Sequence, residues 1–170
     1  MKLEEALTIA IEHEHRVRDH YRRGAEEILD PQGKRVFETL AREEQSHVDY
    51  LESRLAEWTH RGVISAPEVT TILPSPDFVN QARAEIQQGP EPTVAVQSEI
   101  DLLRAALELE HATSSFYRRM VESLGPEYQP MFARFLEIEQ GHLAIVQAEI
   151  DSLAGNGNWF DFMEIDLEMG

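Results

Sequence analysis

The chain contains no cysteine. That absence excludes a disulfide scaffold, a thiol nucleophile, a cysteine-ligated iron–sulfur or rubredoxin-type centre and a cysteine-ligated zinc site. Basic residues are scarce: 15 Lys and Arg stand against 32 Asp and Glu, a formal net charge of -17. Surfaces that grip a phosphate backbone need clustered Lys and Arg, so no nucleic-acid partner is expected, and cations are attracted instead. Long apolar runs are missing as well, with none near the ~20 residues of a membrane span. The start, Met1-Lys2-Leu3-Glu4-Glu5, is charged and amphipathic and does not read as a signal peptide. No membrane partner is expected, and elimination leaves the cytoplasm as the compartment. At 170 residues the chain suits one domain with a sizeable core.

Proline and glycine are concentrated where helices should stop. Residues 3–29 carry apolar side chains in a helical rhythm that breaks at Asp30-Pro31. A second helix is predicted from Pro31 to about His60, ending near Gly62. Residues 61–95 hold Pro67, Pro74, Pro76, Gly89, Pro90 and Pro92, the composition of a long crossover, with a short helix around 76–87. A third helix fits 94–124, before Gly125-Pro126. A fourth fits about Glu127 to Leu153, before Gly155-Asn156-Gly157. The chain also repeats itself. Ala10-Ile11-Glu12-His13-Glu14 returns as Ala106-Leu107-Glu108-Leu109-Glu110, and each copy is followed by a tyrosine, Tyr21 or Tyr117, and two arginines. Phe37 and Glu44-Gln45-Ser46-His47 return as Phe132 and Glu139-Gln140-Gly141-His142, at offsets of 96 and 95 residues. A duplicated helix pair joined by one long connection describes the ferritin-like version of the four-helix bundle, here over residues 1–153.

Each helix must bury one stripe, and each stripe is apolar except near its middle. The first reads Leu3, Leu7, Ala10, Glu14, Val17, Tyr21, Ile28; the second Phe37, Leu40, Glu44, His47, Leu51, Leu55, Trp58. The third reads Leu103, Ala106, Glu110, Thr113, Tyr117, Met120, Leu124; the fourth Phe132, Phe135, Glu139, His142, Val146, Leu153. Four buried carboxylates must protonate, pair or bind metal, and the nearby Arg16, Arg18, Arg22, Arg118 and Arg119 fall off the stripes. Four glutamates with two neutral imidazoles carry a charge that two Fe²⁺ would neutralise. Oxygen and nitrogen donors without sulfur suit iron, or manganese. Five Glu-x-x-His pairs occur, so spacing alone decides nothing. Glu12/His15 and Glu108/His111 straddle their stripes, and Glu57/His60 sits at a helix end. All three read as solvated, as do His13 and His20. Met120 and Met131 read as core filling.

Tyr21 and Tyr117 lie on the stripes two turns beyond Glu14 and Glu110. Each phenol needs an acceptor, either a ligating carboxylate on a neighbouring helix or water. The tail, residues 154–170, holds Trp159-Phe160-Asp161-Phe162-Met163-Glu164-Ile165, dense enough in apolar groups to need cover from its own bundle, a second subunit or another partner.

The segments Glu14–Tyr21 and Glu110–Tyr117, with Glu44…His47 and Glu139…His142, resemble the di-metal pattern of the rubrerythrin-like branch of the ferritin-like superfamily. The resemblance covers residues 1–153. It implies that Glu14 and Glu110 are terminal or bridging carboxylates, that Glu44 and Glu139 bridge two irons, and that His47 and His142 each cap one. Three departures stand out. There are no cysteines for the rubredoxin domain of a full rubrerythrin, Thr113 replaces a further metal-site glutamate, and Ile138 replaces an Asp before the ligand Glu. The function implied is a di-iron oxidoreductase reducing hydrogen peroxide or dioxygen with electrons from an external donor. Iron oxidation and handling, with Fe²⁺ as substrate, is the alternative, and a non-catalytic metal-binding bundle is a third. A homodimer is expected from the apolar tail and the two-fold habit of small oligomers.

Overall fold

The computed structural model describes residues 1–162. It is all-helical: five helices and no strand among the described residues. The elements are α1 (Leu3–Glu27), α2 (Pro31–Arg61), α3 (Pro76–Arg83), α4 (Val94–Ser123) and α5 (Gln129–Asn156). Their ends follow from local chemistry. The Glu5 carboxylate accepts the Lys2 N–H at the start of α1. Asp30 accepts from the N–H groups of Gln32 and Gly33, with Pro31 in the first turn of α2, where its missing N–H costs nothing. Thr93 caps α4 through the Val96 N–H. Gly62 and Gly157 close α2 and α5 in the left-handed conformation, at φ 65° and 76°, which a side chain would oppose.

Three helix ends differ from the sequence expectation. The last helix starts two residues later than Glu127, because Gly125 accepts from Tyr128 and Gln129 in a turn. It then runs past Leu153 to Asn156, passing residues 86–88 of the crossover at Gly155, where even an added Cβ would stand at an ordinary contact distance of 3.7 Å. The short crossover helix stops at Arg83, four residues short of 87.

The three-residue link 28–30 folds α2 back on α1, and a similarly short link folds α5 back on α4. These two hairpins pack together mainly through α1 and α4, while α3 lies on α5. Between α2 and α5 runs the crossover. It is tied to α2 by Tyr50 Oη donating to the Pro67 carbonyl (2.6 Å) and by Arg54 donating to the Ser65 carbonyl (2.6 Å). On the α5 side, Arg134 Nε donates to the Val69 carbonyl (2.9 Å). Glu57, expected to be solvated, accepts from the Ser65 N–H and hydroxyl and so anchors the first crossover turn. Leu55 and Trp58, at the outer end of the α2 stripe, are only partly buried.

The core is split. One apolar cluster gathers Val17, Phe37, Leu40, Leu103, Ala106 and Val146; the other gathers Leu7, Ala10, Leu51, Met120, Phe132 and Phe135. On all four long helices buried glutamates, with a histidine on α2 and α5, lie between these clusters. The tail supplies a lid to the first cluster: Trp159 and Phe162 are buried, and the indole donates to Glu99 Oε2 (2.9 Å). A Cβ on Gly33 would meet Trp159 at 2.3 Å, so the indole occupies the space that this glycine leaves. The tail's cover is thus its own bundle as far as Phe162; Met163, Glu164 and Ile165 lie outside the described residues. No described helix is long and apolar enough to cross a membrane.

Candidate metal centre

The polar layer consists of Glu14 from α1, Glu44 and His47 from α2, Glu110 from α4, and Glu139 and His142 from α5, all fully buried. The stripe spacing that puts Leu7 and Val17 in the core puts Glu14 between them, and the same logic places the other five. The six side chains form two overlapping groups whose ligand atoms lie within 4.8 Å of one another. One is Glu14, Glu44, His47 and Glu139; the other is Glu44, Glu110, Glu139 and His142. Glu44 and Glu139 belong to both.

An approximate two-fold relation runs through the distances. His47 Nδ1 lies 3.5 Å from Glu14 and 3.4 Å from Glu44, and His142 Nδ1 lies 3.5 Å from Glu110 and 3.7 Å from Glu139. The imidazoles stack face to face, with centroids 5.5 Å apart and planes 7° from parallel. Tyr21 on α1 donates to Glu110 on α4 (2.7 Å), and Tyr117 on α4 donates to Glu14 on α1. The acceptor predicted for each phenol is therefore the carboxylate at the start of the opposite repeat. Burial, then the adjacent carboxylates, push both phenols well above their ordinary pKa, so they remain neutral donors.

Every other oxygen and nitrogen of the six residues lacks a hydrogen-bond partner. His142 Nδ1 and Glu44 Oε1 approach to 2.8 Å, but not along a hydrogen-bonding direction. Apart from this layer, the buried side-chain atoms without a partner among the described residues are Arg54 Nε and Glu149 Oε1. A buried polar group left unpaired costs about 1–3 kcal/mol. Several together would consume the ~5–15 kcal/mol by which such domains are stable. The donor set therefore fits a cation: ten buried oxygens and nitrogens of the layer are unpaired, and no sulfur is among them.

Without a cation the layer must balance itself with protons. Burial raises the Glu44 carboxyl to about 8, opposed by His142 and reinforced by Glu14 and Glu110. Burial and the charges of Glu110 and Glu14 push Glu139 well above the usual range. Burial alone would raise Glu14 too, but contacts with Glu44 and His47 draw it down to about 2. Glu110 is likewise lowered, chiefly by His142, against its burial. Burial disfavours charge on the imidazoles, yet Glu14 and Glu44 raise His47 to about 10, and Glu44 and Glu139 raise His142 well above its ordinary value. The metal-free layer thus holds two carboxylates, two neutral carboxyls and two imidazolium ions. It is neutral overall.

Some residues lie elsewhere than expected. His13 and His20 are half-buried, because each fills an interhelical gap: His13 stacks on Phe116 (5.1 Å), and His20 contacts the Leu102 carbonyl (2.8 Å). Thr113 is buried but turns its hydroxyl to the Leu109 carbonyl of its own helix (2.9 Å), away from the donor groups. Glu12, Glu108 and His111 are exposed, as their positions off the stripes require. Two buried acids were missed, Glu43 and Glu149. Glu43 had a signal in the repeat, since its counterpart 95 residues on is the apolar Ile138, an inward position. Glu149 continues the α5 spacing from His142 through Val146 and belonged on that stripe. Comparison with protein-family models, curated proteins and solved structures finds no match.

Proposed function

We propose that this chain is a ferritin-like, rubrerythrin-like bundle in which Glu14, Glu44, His47, Glu110, Glu139 and His142 hold two iron ions that serve as a redox centre for hydrogen peroxide or dioxygen. The observation that carries this reading is the pair of overlapping four-residue donor groups sharing Glu44 and Glu139. When bound, two ferrous ions supply the two electrons that a small oxidant takes up. The chain's residues do the rest. Glu44 and Glu139 would hold both ions, and Glu14 and Glu110 are held in orientation by Tyr117 and Tyr21. The two apolar clusters above and below exclude water from the layer. With no cysteine in the chain, electrons for a further cycle come from an external donor.

Iron handling is a second reading, favoured by the net charge of -17, which raises the local concentration of cations. In that case Fe²⁺ is substrate and leaves after oxidation. A stopped-flow comparison of peroxide and dioxygen with the anaerobic Fe²⁺-loaded protein separates the two. Faster peroxide turnover that survives repeated reduction with iron retained supports the redox centre. Faster dioxygen reaction with iron lost after one cycle supports iron handling. No optical change with either oxidant leaves a non-catalytic metal-binding bundle. The homodimer also stands as a proposal, and sedimentation as a monomer at tens of micromolar would remove it.

A further inference from the structure

The two imidazoles present their Nδ1 edges to the four glutamates and their Nε2 edges to the opposite side, toward the crossover. Among the described residues, one carboxylate stands on that side. Glu43 Oε1 lies 3.8 Å from His47 Nε2 and 3.8 Å from His142 Nε2. Both Nε2 atoms are buried and have no hydrogen-bond partner. The same Oε1 accepts the Thr71 hydroxyl, and Thr71 Oγ1 in turn accepts the Leu73 N–H (3.1 Å). That second contact occupies a lone pair of the hydroxyl, leaving its proton for Glu43. The Thr71 stretch is itself tied to α2 by Tyr50 and to α5 by Arg134. The duplication offers no second acid here: Glu43 is matched by Ile138, which is in the core.

We infer that Glu43 is a positioning residue shared by both histidines, a single acceptor that fixes the two ring orientations together and links the two metal positions to each other and to the crossover at Thr71. The inference rests on the two-metal reading above. A histidine that ligates through one ring nitrogen donates the proton of the other, and losing that acceptor lowers metal affinity by about 10–100-fold. Two separate acids would let each position respond alone. One shared acid makes them respond together. The 3.8 Å separations exceed a finished hydrogen bond by about 0.8 Å, so a small movement of Glu43 or the rings completes both.

Zinc-loaded protein gives the direct readout, because the Nε2–H signals of His47 and His142 can be followed by nitrogen-15 NMR. Both signals are expected at low field and slow to exchange with water in the wild type. In E43L both should move upfield together and exchange faster, while cobalt titration shows about 10–100-fold weaker binding at both positions. E43Q, which keeps one carbonyl acceptor and guards against a misfolded E43L, should fall between. T71V should shift both signals in the same direction by less. A change at only one histidine, or at neither, overturns the sharing. So does a third cobalt equivalent in the wild type that vanishes in E43L, since Glu43 would then be a ligand. A wild-type stoichiometry below two removes the two-metal reading and this inference with it. Two bound ions with unmoved ring signals overturn the inference alone.

Discussion

Aligned by the repeat offsets, the first hairpin and the second carry the same four site residues but hold the rest of the chain by different means. Glu14, Tyr21, Glu44 and His47 are matched by Glu110, Tyr117, Glu139 and His142, and their distances match as well. Outside the layer the correspondence fails in a consistent place. Tyr50 and Arg54 of α2 bind the crossover, whereas Ile145 and Glu149 stand at the equivalent positions of α5. Glu149 accepts the Phe160 N–H of the tail (3.0 Å). Glu43 faces Thr71, and Ile138 faces the core. The glutamates, tyrosines and histidines of the layer stayed alike. Residues that meet the crossover and the tail, segments with no counterpart in the other half, diverged.

The most damaging way to test that equivalence is to remove the shared carboxylates one at a time. If Glu44 and Glu139 each serve both ions, E44A and E139A should each abolish tight binding at both positions. Calorimetric titration with cobalt should then fall from two equivalents to none at micromolar protein. Loss of one equivalent in each variant would mean that each carboxylate serves one ion only, and the overlap of the two donor groups would carry no function.

Protons provide the next test. The metal-free layer is neutral with two protonated carboxyls and two imidazolium ions, whereas four carboxylates and two neutral imidazoles suit two divalent ions. Loading near pH 6–7 should therefore release about four protons per chain, and affinity should climb steeply with pH. Calorimetry in buffers of different ionisation enthalpy counts them. Release of two or fewer would contradict the proton assignment. In the metal-free protein, the raised groups make stability fall as pH rises, over about 4.5 to 8 for Glu44 and about 6.5 to 10 for His47. Glu14 acts oppositely, its contribution being lost as pH falls from 4.5 through about 2. Urea midpoints should peak near pH 5 without metal, and the alkaline decline should disappear once cobalt is bound.

Much of this layer was legible because a helix repeats every 3.6 residues and the chain repeats itself. A Glu inside an otherwise apolar stripe is informative alone, and its return 95 or 96 residues later at the same stripe position makes chance a poor explanation. What escaped was set by neighbours outside the repeat. Nothing in the stripe of α2 alone shows that Glu43 turns toward Thr71, because the crossover's path follows no period. His20 read as solvated because its partner, the Leu102 carbonyl, is on another helix. The helix ends shifted for local reasons, such as the Gly125 turn. The half-burial of Leu55 and Trp58 reflects a stripe running past the end of its cover.

The tyrosines sharpen the comparison at smaller energies. Y21F and Y117F each remove a donor from a buried carboxylate, a loss of about 1.5–3 kcal/mol in the metal-free protein. Equivalent halves predict equal losses, within about 0.5 kcal/mol. Chemical denaturation near pH 6 measures both. A gap above ~1 kcal/mol would show that one end of the layer carries more charge than the other.

The smallest effect is expected where the halves differ most, at Glu149. Its carboxyl is buried beneath the tail, with one oxygen on the Phe160 N–H and the other without a partner. Burial pushes its pKa well above the usual range, opposed by the Phe160 contact and reinforced by Asp161. A raised carboxyl contributes stability fully present below the unfolded value of 4.5 and lost as pH rises through the folded one. Replacing it by glutamine keeps an acceptor for Phe160 and removes the charge. E149Q should thus lie within about 1 kcal/mol of the wild type at pH 4.5 and become the more stable protein as pH rises. R54M, at the counterpart position, should shift stability by the same amount at every pH between 5 and 9, since guanidinium groups do not deprotonate in that range. Denaturation curves across that range, with tryptophan fluorescence reporting Trp159 as well as Trp58, read both variants. An E149Q curve that tracks the wild type at all pH values would mean that Glu149 titrates alike in the folded and unfolded chains, so that burial does not raise it. A wild type that falls progressively below E149Q as pH rises from about 5 would show the tail resting on a carboxyl that must remain neutral, where the first hairpin holds the crossover with a guanidinium.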